Sequence, residues 1–152
     1  MERDSQVDII LLDFAKAFDK VPHHRLLHKL EYYGVNSKIR WIRSFLENRK
    51  QSVILEGTVS KQVPVLSGVP QGTVLGPLLF LAYINDMPET ATSSEIKLFA
   101  DNSLLYHTIN NQTDNDFFQR DLTILEDWEN KWQISFNAKK CIVIRIAPKT
   151  NR

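Results

Sequence analysis

The sequence predicts an α+β domain in which helices lie mainly on one face of a sheet. Short apolar runs typical of strands alternate with segments whose apolar residues recur at helical spacing, and no unit repeats. The composition is that of an ordinary globular protein, with 43% hydrophobic and 24% charged residues among 152. A chain of this length forms about one domain, so residues 1–152 are predicted to be a single domain.

The first predicted elements are a strand and two helices. Val7 to Leu12 is almost wholly apolar, which predicts a strand buried on both faces. A helix is predicted from His23 to Tyr33, and Gly34 ends it. A second helix, capped by Asn36 or Ser37, would carry its apolar residues on one side: Ile39, Ile42, Phe45 and Leu46.

The middle of the chain predicts a hairpin followed by a deeply buried helix. Val53 to Leu55 and Val63 to Leu66 are short strand-like runs on either side of a turn at Glu56-Gly57. The segment from Gly72 to Tyr83 is apolar almost all round, which is typical of a helix packed in the core.

The last part of the chain predicts a second hairpin, a long helix and a final strand. Apolar runs flank Asp101, which places this residue at the tip of the hairpin. Thr113 or Asp114 begins an amphipathic helix, and Ile142 to Ile146 forms the last strand. The helix would turn four residues inward: Phe117, Leu122, Leu125 and Trp128.

Charge, cysteine content and hydropathy exclude several classes of protein. The formal net charge of +1 provides no overall field that would attract nucleic acid. A single cysteine, Cys141, excludes an internal disulfide and fits a reducing compartment. The longest apolar stretch, Val74 to Ile84, is too short to span a bilayer, and the N-terminus lacks a signal-peptide pattern. The sequence therefore predicts a nuclear or cytoplasmic protein that is neither secreted nor held in a membrane.

Two aspartates stand where phosphoryl-transfer chemistry would need them. Asp13 and Asp101 each follow an apolar strand, and acids at neighbouring strand ends can bind a pair of divalent cations. Asp101-Asn102 is also a favoured two-residue hairpin turn, because both residue types tolerate a positive φ. The turn taken alone favours this plainer interpretation, so the metal site is a hypothesis at this point.

A glycine-containing segment precedes the apolar helix. Gly68 and Gly72 bracket a Pro-Gln step between Ser67 and Thr73. Glycine permits close approach of a backbone, and a helix N-terminus favours negative charge. Taken alone, these residues fit an ordinary strand-to-helix connection better. The segment is not a phosphate loop of the Gly-Lys-Ser/Thr type, because no such lysine follows.

Two further features bear on nucleic acid. The first predicted helix and the segment before it present basic and imidazole side chains that fit a phosphate-facing surface. These are Lys16, Lys20, His23, His24, Arg25, His28 and Lys29. Trp41, Trp128 and Trp132 can stack on bases. Tryptophans at helical spacing among leucines are more often core or rim residues, and this interpretation stays open as well.

Three blocks occur in a characteristic order. They are DFAKAFD from Asp13 to Asp19, LSGVPQGTVLGPLLFLAYIND from Leu66 to Asp86, and FADNSLLY from Phe99 to Tyr106. Together they resemble the reverse transcriptases of non-LTR retrotransposons, and within them the Jockey/CR1-like branch. The resemblance runs from about Gln6 to Ile146, and the long second block makes it specific.

The resemblance implies the palm region of an RNA-directed DNA polymerase, with an antiparallel sheet backed by helices and a ferredoxin-like core. Asp13 matches the first catalytic aspartate, and the Phe14 carbonyl beside it is a further implied metal ligand. Asp101 matches the first acid of the family's paired aspartates. Lys140 matches a lysine that protonates pyrophosphate as it leaves. Two Mg²⁺ ions are the implied cofactors.

Three other residues are implied to contact the nucleotide. Phe18 matches the bulky residue that crowds the sugar 2′ position and excludes ribonucleotides. Gln71 and Gly72 match the motif that contacts the incoming nucleotide and the template. The implied partners are an RNA template, a DNA primer, deoxynucleoside triphosphates and the remainder of a longer polymerase chain.

The sequence departs from the family in two respects. Asn102 stands where the family has an aspartate. Because a neutral amide holds a divalent ion more weakly than a carboxylate does, the site is expected to prefer Mn²⁺ to Mg²⁺. The resemblance also implies fingers before Asp13 and a thumb after Lys140, which residues 1–152 are not expected to contain, so impaired synthesis by this chain in isolation is predicted. The alternative is a catalytically inactive retrotransposon remnant that serves as a nucleic-acid-binding or interaction module.

Overall fold

The computed structural model describes residues 5–148. The strands are β1 (Gln6–Asp13), β2 (Lys50–Gln51), β3 (Ile54–Leu55), β4 (Thr58–Val59), β5 (Val63–Pro64), β6 (Glu95–Phe99), β7 (Asn102–Ile109) and β8 (Ile142–Ile146). The helices are α1 (His23–Tyr32), α2 (Ile39–Leu46), α3 (Leu75–Ile84) and α4 (Gln112–Trp132), and a short 3-10 helix spans Met87–Thr90. The predicted α+β class is confirmed.

These elements form two compact units. Residues 5–15 and 84–148 make up the sheet unit, and residues 16–83 make up the helical unit. No helix within residues 5–148 combines the length and apolar character that crossing a membrane would require. The assignment of residues 1–152 to a single domain stays a prediction.

The sheet unit is built on a four-stranded antiparallel sheet in the order β6-β7-β1-β8. β1 is central, and its side chains alternate between one buried and one half-buried face. The prediction that this strand is buried on both faces is therefore wrong, because an antiparallel sheet needs to be covered on one face only. α4 packs against β7 and against the 3-10 helix.

Asp8 lies on the buried face of β1 and is satisfied by a bidentate ion pair. Arg145, its cross-strand neighbour in β8, donates from Nε and Nη2 at 3.0 and 2.9 Å. Gln6 donates a third hydrogen bond at 2.8 Å. The hydrogen bond from Arg145 lowers the pKa of Asp8 despite the opposing effect of burial. The pair links β8 to the centre of the sheet.

α4 begins with a capping box and carries one buried carboxylate. The helix begins at Gln112, rather than at Thr113 or Asp114 as predicted, with Asn111 as its N-cap, and the Asp114 carboxylate accepts from the Asn111 N–H. The buried positions of α4 are Phe118, Asp121, Leu125 and Trp128. Two of the four predicted inward residues are thus correct, while Phe117 and Leu122 are only half-buried.

Asp121 is completely buried and accepts hydrogen bonds from the segment before β6. The backbone N–H groups of Thr92, Ser93 and Ser94 donate to its two oxygens at 2.9, 3.0 and 2.7 Å. Burial alone would raise the pKa of this carboxyl, but these donors together lower it to about 2. A carboxylate with this many N–H donors stays ionised.

The helical unit contains α1, α2, nearly all of α3 and two small two-stranded antiparallel sheets. Leu26, Leu27 and Leu30 are buried on α1, as predicted. α2 begins after Lys38, which makes no side-chain cap, so the prediction of Asn36 or Ser37 as its cap is wrong. The turn at Glu56-Gly57 is confirmed, but the strand pairing differs: β3 pairs with β4, and β2 pairs with β5.

α3 is shorter and more exposed than its sequence predicts. Leu79, Phe80, Tyr83 and Ile84 are buried, whereas Leu78 is 57% exposed and the preceding Val74 is 87% exposed. An all-apolar sequence cannot indicate which side of a helix faces the core, because it carries no amphipathic pattern.

Candidate active site

The end of β1 and the start of β7 bring the predicted metal-ligating residues together. Asp13 is the last residue of β1, and its cross-strand partner is Asn102, the first residue of β7. Directly opposed residues of an antiparallel pair project on the same face, with Cβ atoms roughly 5 Å apart. Asp101 is the residue immediately before this pair. The hairpin therefore places both aspartates and Asn102 at one end of the central strands.

The β6–β7 turn consists of Ala100 and Asp101, since Phe99 pairs with Asn102. Asp101 lies at the hairpin tip, as predicted, but the turn pair is not Asp101-Asn102. Ala100 has a φ of +52°, a left-handed conformation that is uncommon for a residue with a Cβ. The backbone is therefore strained immediately before Asp101, and strain of this kind is concentrated at functional sites.

The Asp13 carboxylate has an unsatisfied buried oxygen. Its Oδ1 is buried and accepts no hydrogen bond, and the Lys140 ammonium nitrogen lies 3.5 Å away. A buried carboxylate oxygen without a donor is costly unless a cation neutralises it. Asp13, its cross-strand partner Asn102 and the adjacent Asp101 carry side-chain oxygens, the ligand type that suits Mg²⁺ and Mn²⁺. Asp13 and its neighbours thus fit a divalent cation.

The segment from Ser135 to Asn137 runs beside the end of β1 and positions Lys140. The Ala15 N–H donates to the Ser135 carbonyl at 2.7 Å, and the Asn137 N–H donates to the Asp13 carbonyl at 2.7 Å. The Lys140 N–H in turn donates to the Asn137 carbonyl at 2.8 Å. The side chain of Lys140 is 64% exposed, so its ammonium group is open to a ligand.

Aromatic packing and one glutamate hold this segment in place. The Phe14 ring is buried and stacks on Phe136 with 4.7 Å between ring centroids. Glu129 on α4 accepts a hydrogen bond from the Phe136 N–H. Burial raises the pKa of Glu129, and the Phe136 donor opposes this shift. The backbone of Asp13 is therefore held on both sides, by β7 and by residues 135–137.

Within residues 5–148, no three His, Cys, Asp or Glu side chains are grouped as a metal site would require. The predicted ligand set contains only two carboxylates, Asp13 and Asp101. The Asn102 amide and the Phe14 carbonyl would have to complete it. This set carries less negative charge than three carboxylates would. Asp13 lies at the end of β1, and Asn102 lies at the start of β7.

In the helical unit, Phe18 lies beside the glycine-containing segment. The Phe18 carbonyl accepts the Val69 N–H at 2.7 Å, and the Gly68 N–H donates to the Val21 carbonyl at 2.8 Å. Gly68 has a φ of +91°, and a Cβ there would lie 2.7 Å from the Phe18 carbonyl oxygen. The Phe18 ring is half-buried, with its centroid 5.1 Å from that of Phe80. Only glycine at position 68 permits its backbone to approach the Phe18 carbonyl this closely.

Gln71 and Gly72 are both exposed at the turn before α3. Gly72 has a φ of +79°, and no atom lies within 4 Å of the position that a Cβ would occupy. Thr73 stabilises the turn, because its hydroxyl donates to the Pro70 carbonyl at 2.7 Å and accepts the Gly76 N–H at 3.0 Å. The roles predicted for Phe18, Gln71 and Gly72 remain predictions.

Several residues that hold the sheet unit and the segment beside Asp13 in place do not belong to the predicted set. Asp121 interrupts an apolar helical stripe, and this is the signal that could have revealed it. The Asn111 to Asp114 spacing is that of a capping box. Glu129 and Asn137 carry no local signal, because their partners at residues 136 and 13 are defined only by the fold.

Comparison with known proteins assigns the chain to a protein family and identifies relatives. Residues 2–150 match the family described as reverse transcriptase (RNA-dependent DNA polymerase). The RNA-directed DNA polymerase from mobile element jockey of Drosophila melanogaster is 33% identical over 147 residues, which cover 91% of this chain and 16% of that protein. The probable RNA-directed DNA polymerase from transposon X-element of the same organism is 32% identical and matches 86% of this chain and 15% of its own length. The chain thus spans about a sixth of the length of these relatives.

Solved structures with a similar fold include yeast telomerases. Telomerase from Candida tropicalis in complex with the TWJ fragment of telomeric RNA superposes with a TM-score of 0.70 at 12% identity, over 95% of this chain and 26% of that one. Telomerase from Candida albicans in complex with such a fragment has a TM-score of 0.67 at 14% identity, over 91% and 28% of the two chains. At these identities the comparison establishes the fold alone.

Proposed function

This chain belongs to the reverse transcriptase (RNA-dependent DNA polymerase) family, and we propose that it is the palm of an RNA-directed DNA polymerase. The observation that carries the proposal is the pairing of Asp13 with Asn102 beside Asp101, with Lys140 at 3.5 Å from Asp13 Oδ1. The proposed reaction is attack of a primer 3′-hydroxyl on the α-phosphorus of a deoxynucleoside triphosphate. The bond from that phosphorus to pyrophosphate breaks as the new phosphodiester forms.

The sheet order supports the assignment to a palm. The strands β1, β6, β7 and β8 follow one another in the chain in this order, and in the sheet they lie as β6-β7-β1-β8, all antiparallel. Numbered one to four, their spatial order is two-three-one-four, and this order supports the proposed ferredoxin-like core. In this arrangement the two central strands bear Asp13 at the end of one and the Ala100-Asp101 turn at the start of the other.

Asp13, Asp101, the Asn102 amide and the Phe14 carbonyl would hold two Mg²⁺ or Mn²⁺ ions. When bound, such ions stabilise negative charge on the attacking and leaving oxygens. The residues themselves act mainly by positioning the ions and the reacting groups, because β7 and residues 135–137 hold the backbone of Asp13 rigidly. Lys140 is proposed to donate a proton to pyrophosphate as it departs, which its exposed ammonium group permits.

The helical unit is proposed to supply nucleotide contacts from Phe18, Gln71 and Gly72. The open space above Gly72 supports close approach of a ligand to its backbone. The half-buried Phe18 ring, held by Phe80 and by the Gly68 segment, supports a role as a fixed steric element. The proposed partners are an RNA template, a DNA primer and deoxynucleoside triphosphates.

Primer extension tests the proposal. The segment of the jockey polymerase that matches this chain is replaced by the chain, and incorporation on an RNA template is measured with Mg²⁺ and with Mn²⁺. We expect weak incorporation that is stronger with Mn²⁺, and Asn102→Asp should restore activity with Mg²⁺ because a carboxylate binds the ion more strongly than an amide. Asp13→Asn in the same chimera is the inactive control, and the unmodified jockey polymerase is the positive control.

The second candidate is a catalytically inactive remnant that retains only binding to nucleic acid. Asn102 favours it, because the residue opposite Asp13 offers a neutral amide in place of a second charge. Absence of incorporation by both the chimera with Asn102 and its Asn102→Asp variant would refute the polymerase function and leave the inactive remnant. Equal incorporation by the two proteins would show that the Asn102 amide supports the reaction as well as a carboxylate does.

A further inference from the structure

Charge is divided unequally between the two units. Residues 16–83 contain 10 Lys and Arg against 4 Asp and Glu, a balance of +6, whereas the rest of the chain contains 9 against 14, a balance of −5. The near-neutral total conceals this division. A unit with such an excess of cations attracts polyanions even though the whole chain does not.

An open groove of about 670 Å³ lies on the helical unit at the start of α2. It is lined by Asn36, Ser37, Ile39, Arg40, Trp41 and Ser44. Its lining combines one guanidinium group, one indole and three neutral side chains that can form hydrogen bonds, and no carboxylate from residues 5–148 belongs to it. This chemistry suits a ligand that is anionic and has a planar, hydrogen-bonding part.

Trp41 is the exposed aromatic residue of the groove. Its side chain is 56% exposed, although its ring stacks on Phe45 with 5.7 Å between centroids and 12° between planes. Trp128, by contrast, is buried and donates from Nε1 to Asp86. The stacking fixes the plane of the Trp41 indole while leaving much of it open. An indole held in this way is a ready platform for a base.

The two arginines of α2 differ in their surroundings. Arg43 lies 3.4 Å from Glu47 in an i,i+4 ion pair and does not line the groove. Arg40 lines the groove, where Ser37 and Asn36 provide further hydrogen-bonding groups. Arginine beside neutral hydrogen-bonding groups is a typical arrangement for a phosphodiester.

We propose that this groove binds single-stranded nucleic acid, with an unpaired base stacked on Trp41 and the adjacent phosphate contacted by Arg40. The proposal rests on the proposed polymerase function for the choice of nucleic acid as the polyanion. The open indole face favours a nucleic acid over an acidic peptide, because a base can stack on it and a carboxylate cannot. The groove residues all belong to the helical unit, and none of them is among the predicted metal ligands.

Fluorescence anisotropy of a short labelled RNA without base pairing tests the groove. The full chain is titrated in EDTA, so that binding does not depend on the metal site. We expect Trp41→Ala to weaken binding by roughly 5- to 100-fold, the usual contribution of one stacked base, and Trp41→Phe to recover most of it. Arg40→Gln should reduce the slope of log affinity against log salt by about 0.7, the value for one phosphate on a single strand.

Two matched variants serve as controls. Arg43→Gln removes a guanidinium from the same helix outside the groove, and Trp132→Leu removes a tryptophan from the sheet unit. Both should bind RNA within about twofold of the parent, because neither residue lines the groove. Circular dichroism and thermal melting establish folding, and the salt slope of Arg40→Gln decides the matter if Trp41→Ala unfolds.

The outcomes are distinct. Unchanged affinity in Trp41→Ala together with an unchanged salt slope in Arg40→Gln would overturn the proposal. Displacement of the RNA by a polyglutamate peptide at equal charge would also overturn it, since an acidic peptide would then be the ligand. Loss of primer extension with groove-dependent binding intact would refute the polymerase alone, whereas extension without groove-dependent binding would refute the groove alone.

Discussion

The Lys140 ammonium nitrogen lies 3.5 Å from Oδ1 of Asp13, although the two residues come from opposite ends of the chain. The contact is produced by the backbone, because Asn137 donates to the Asp13 carbonyl and accepts from the Lys140 N–H. Lys140 is 64% exposed, so the ion pair itself contributes little to stability. We infer that the arrangement is maintained for chemistry at Asp13.

Lys140→Ala should separate catalysis from folding. We expect the melting temperature to change by no more than the small effect of an exposed ion pair. Incorporation in the jockey chimera should fall by roughly 100-fold if Lys140 acts as a general acid. Lys139→Ala is the control, since this neighbouring lysine has no contact with Asp13 among those described. A loss of stability matching the loss of activity would contradict the catalytic role.

Ala100→Gly should relieve strain at the turn before Asp101. A left-handed alanine costs roughly 1–2 kcal/mol, and the entropy cost of glycine offsets part of the gain, so unfolding free energy should rise by up to about 1 kcal/mol. Glu56→Gly is the matched control, because Glu56, with a φ of +49°, is the first turn residue of the β3–β4 hairpin.

Urea denaturation gives the unfolding free energy of Ala100→Gly and of Glu56→Gly. If the strain positions Asp101, only Ala100→Gly should also lower incorporation by the chimera, because the more flexible turn would hold Asp101 less rigidly. Equal activity in the two variants would show that the left-handed alanine has no role in the reaction.

Asp121 should make the protein sensitive to acid. Its folded-state pKa of about 2 lies below the ordinary aspartate pKa of 3.8, so its stabilisation is present above pH 4 and is lost as the pH falls towards 2. The shift corresponds to about 2 kcal/mol of unfolding free energy. Asp121→Asn should lose this contribution at neutral pH and flatten the stability profile between pH 4 and 2. The control is Asp116→Asn, at an exposed position of the same helix, which should leave the profile unchanged.

Gly68→Ala should destabilise the protein more than Gly34→Ala. Both glycines have a left-handed φ, of +91° and +84°, so both substitutions carry the same backbone strain of roughly 1–2 kcal/mol. A Cβ at Gly34 meets nothing within 4 Å, whereas at Gly68 it lies 2.7 Å from the Phe18 carbonyl oxygen. Thermal denaturation of the two variants should therefore differ, and equal losses would mean that the segment moves aside without cost.

Local sequence patterns were reliable where the determining interactions are themselves local. The bounds of β8 and the end of α1 at Gly34 agree with the sequence, because apolar runs and a left-handed glycine act within a few residues. The turn at Glu56-Gly57 agrees for the same reason. The N-cap of α2 and the partners of β3 and β5 did not follow from local rules, since several nearby residues satisfied the same pattern.

The sequence by itself determined the family, the α+β class and the presence of aspartates at strand ends, because motif order and hydrophobic periodicity are encoded locally. Only the tertiary structure decided that Asp13 faces Asn102 rather than Asp101, that Ala100 carries the strain of the turn, and that Lys140 reaches Asp13 Oδ1. It also revealed a +6 unit with an exposed tryptophan within a chain of net charge +1. Register, burial and charge segregation depend on contacts between distant parts of the chain, and these arise only when the backbone folds.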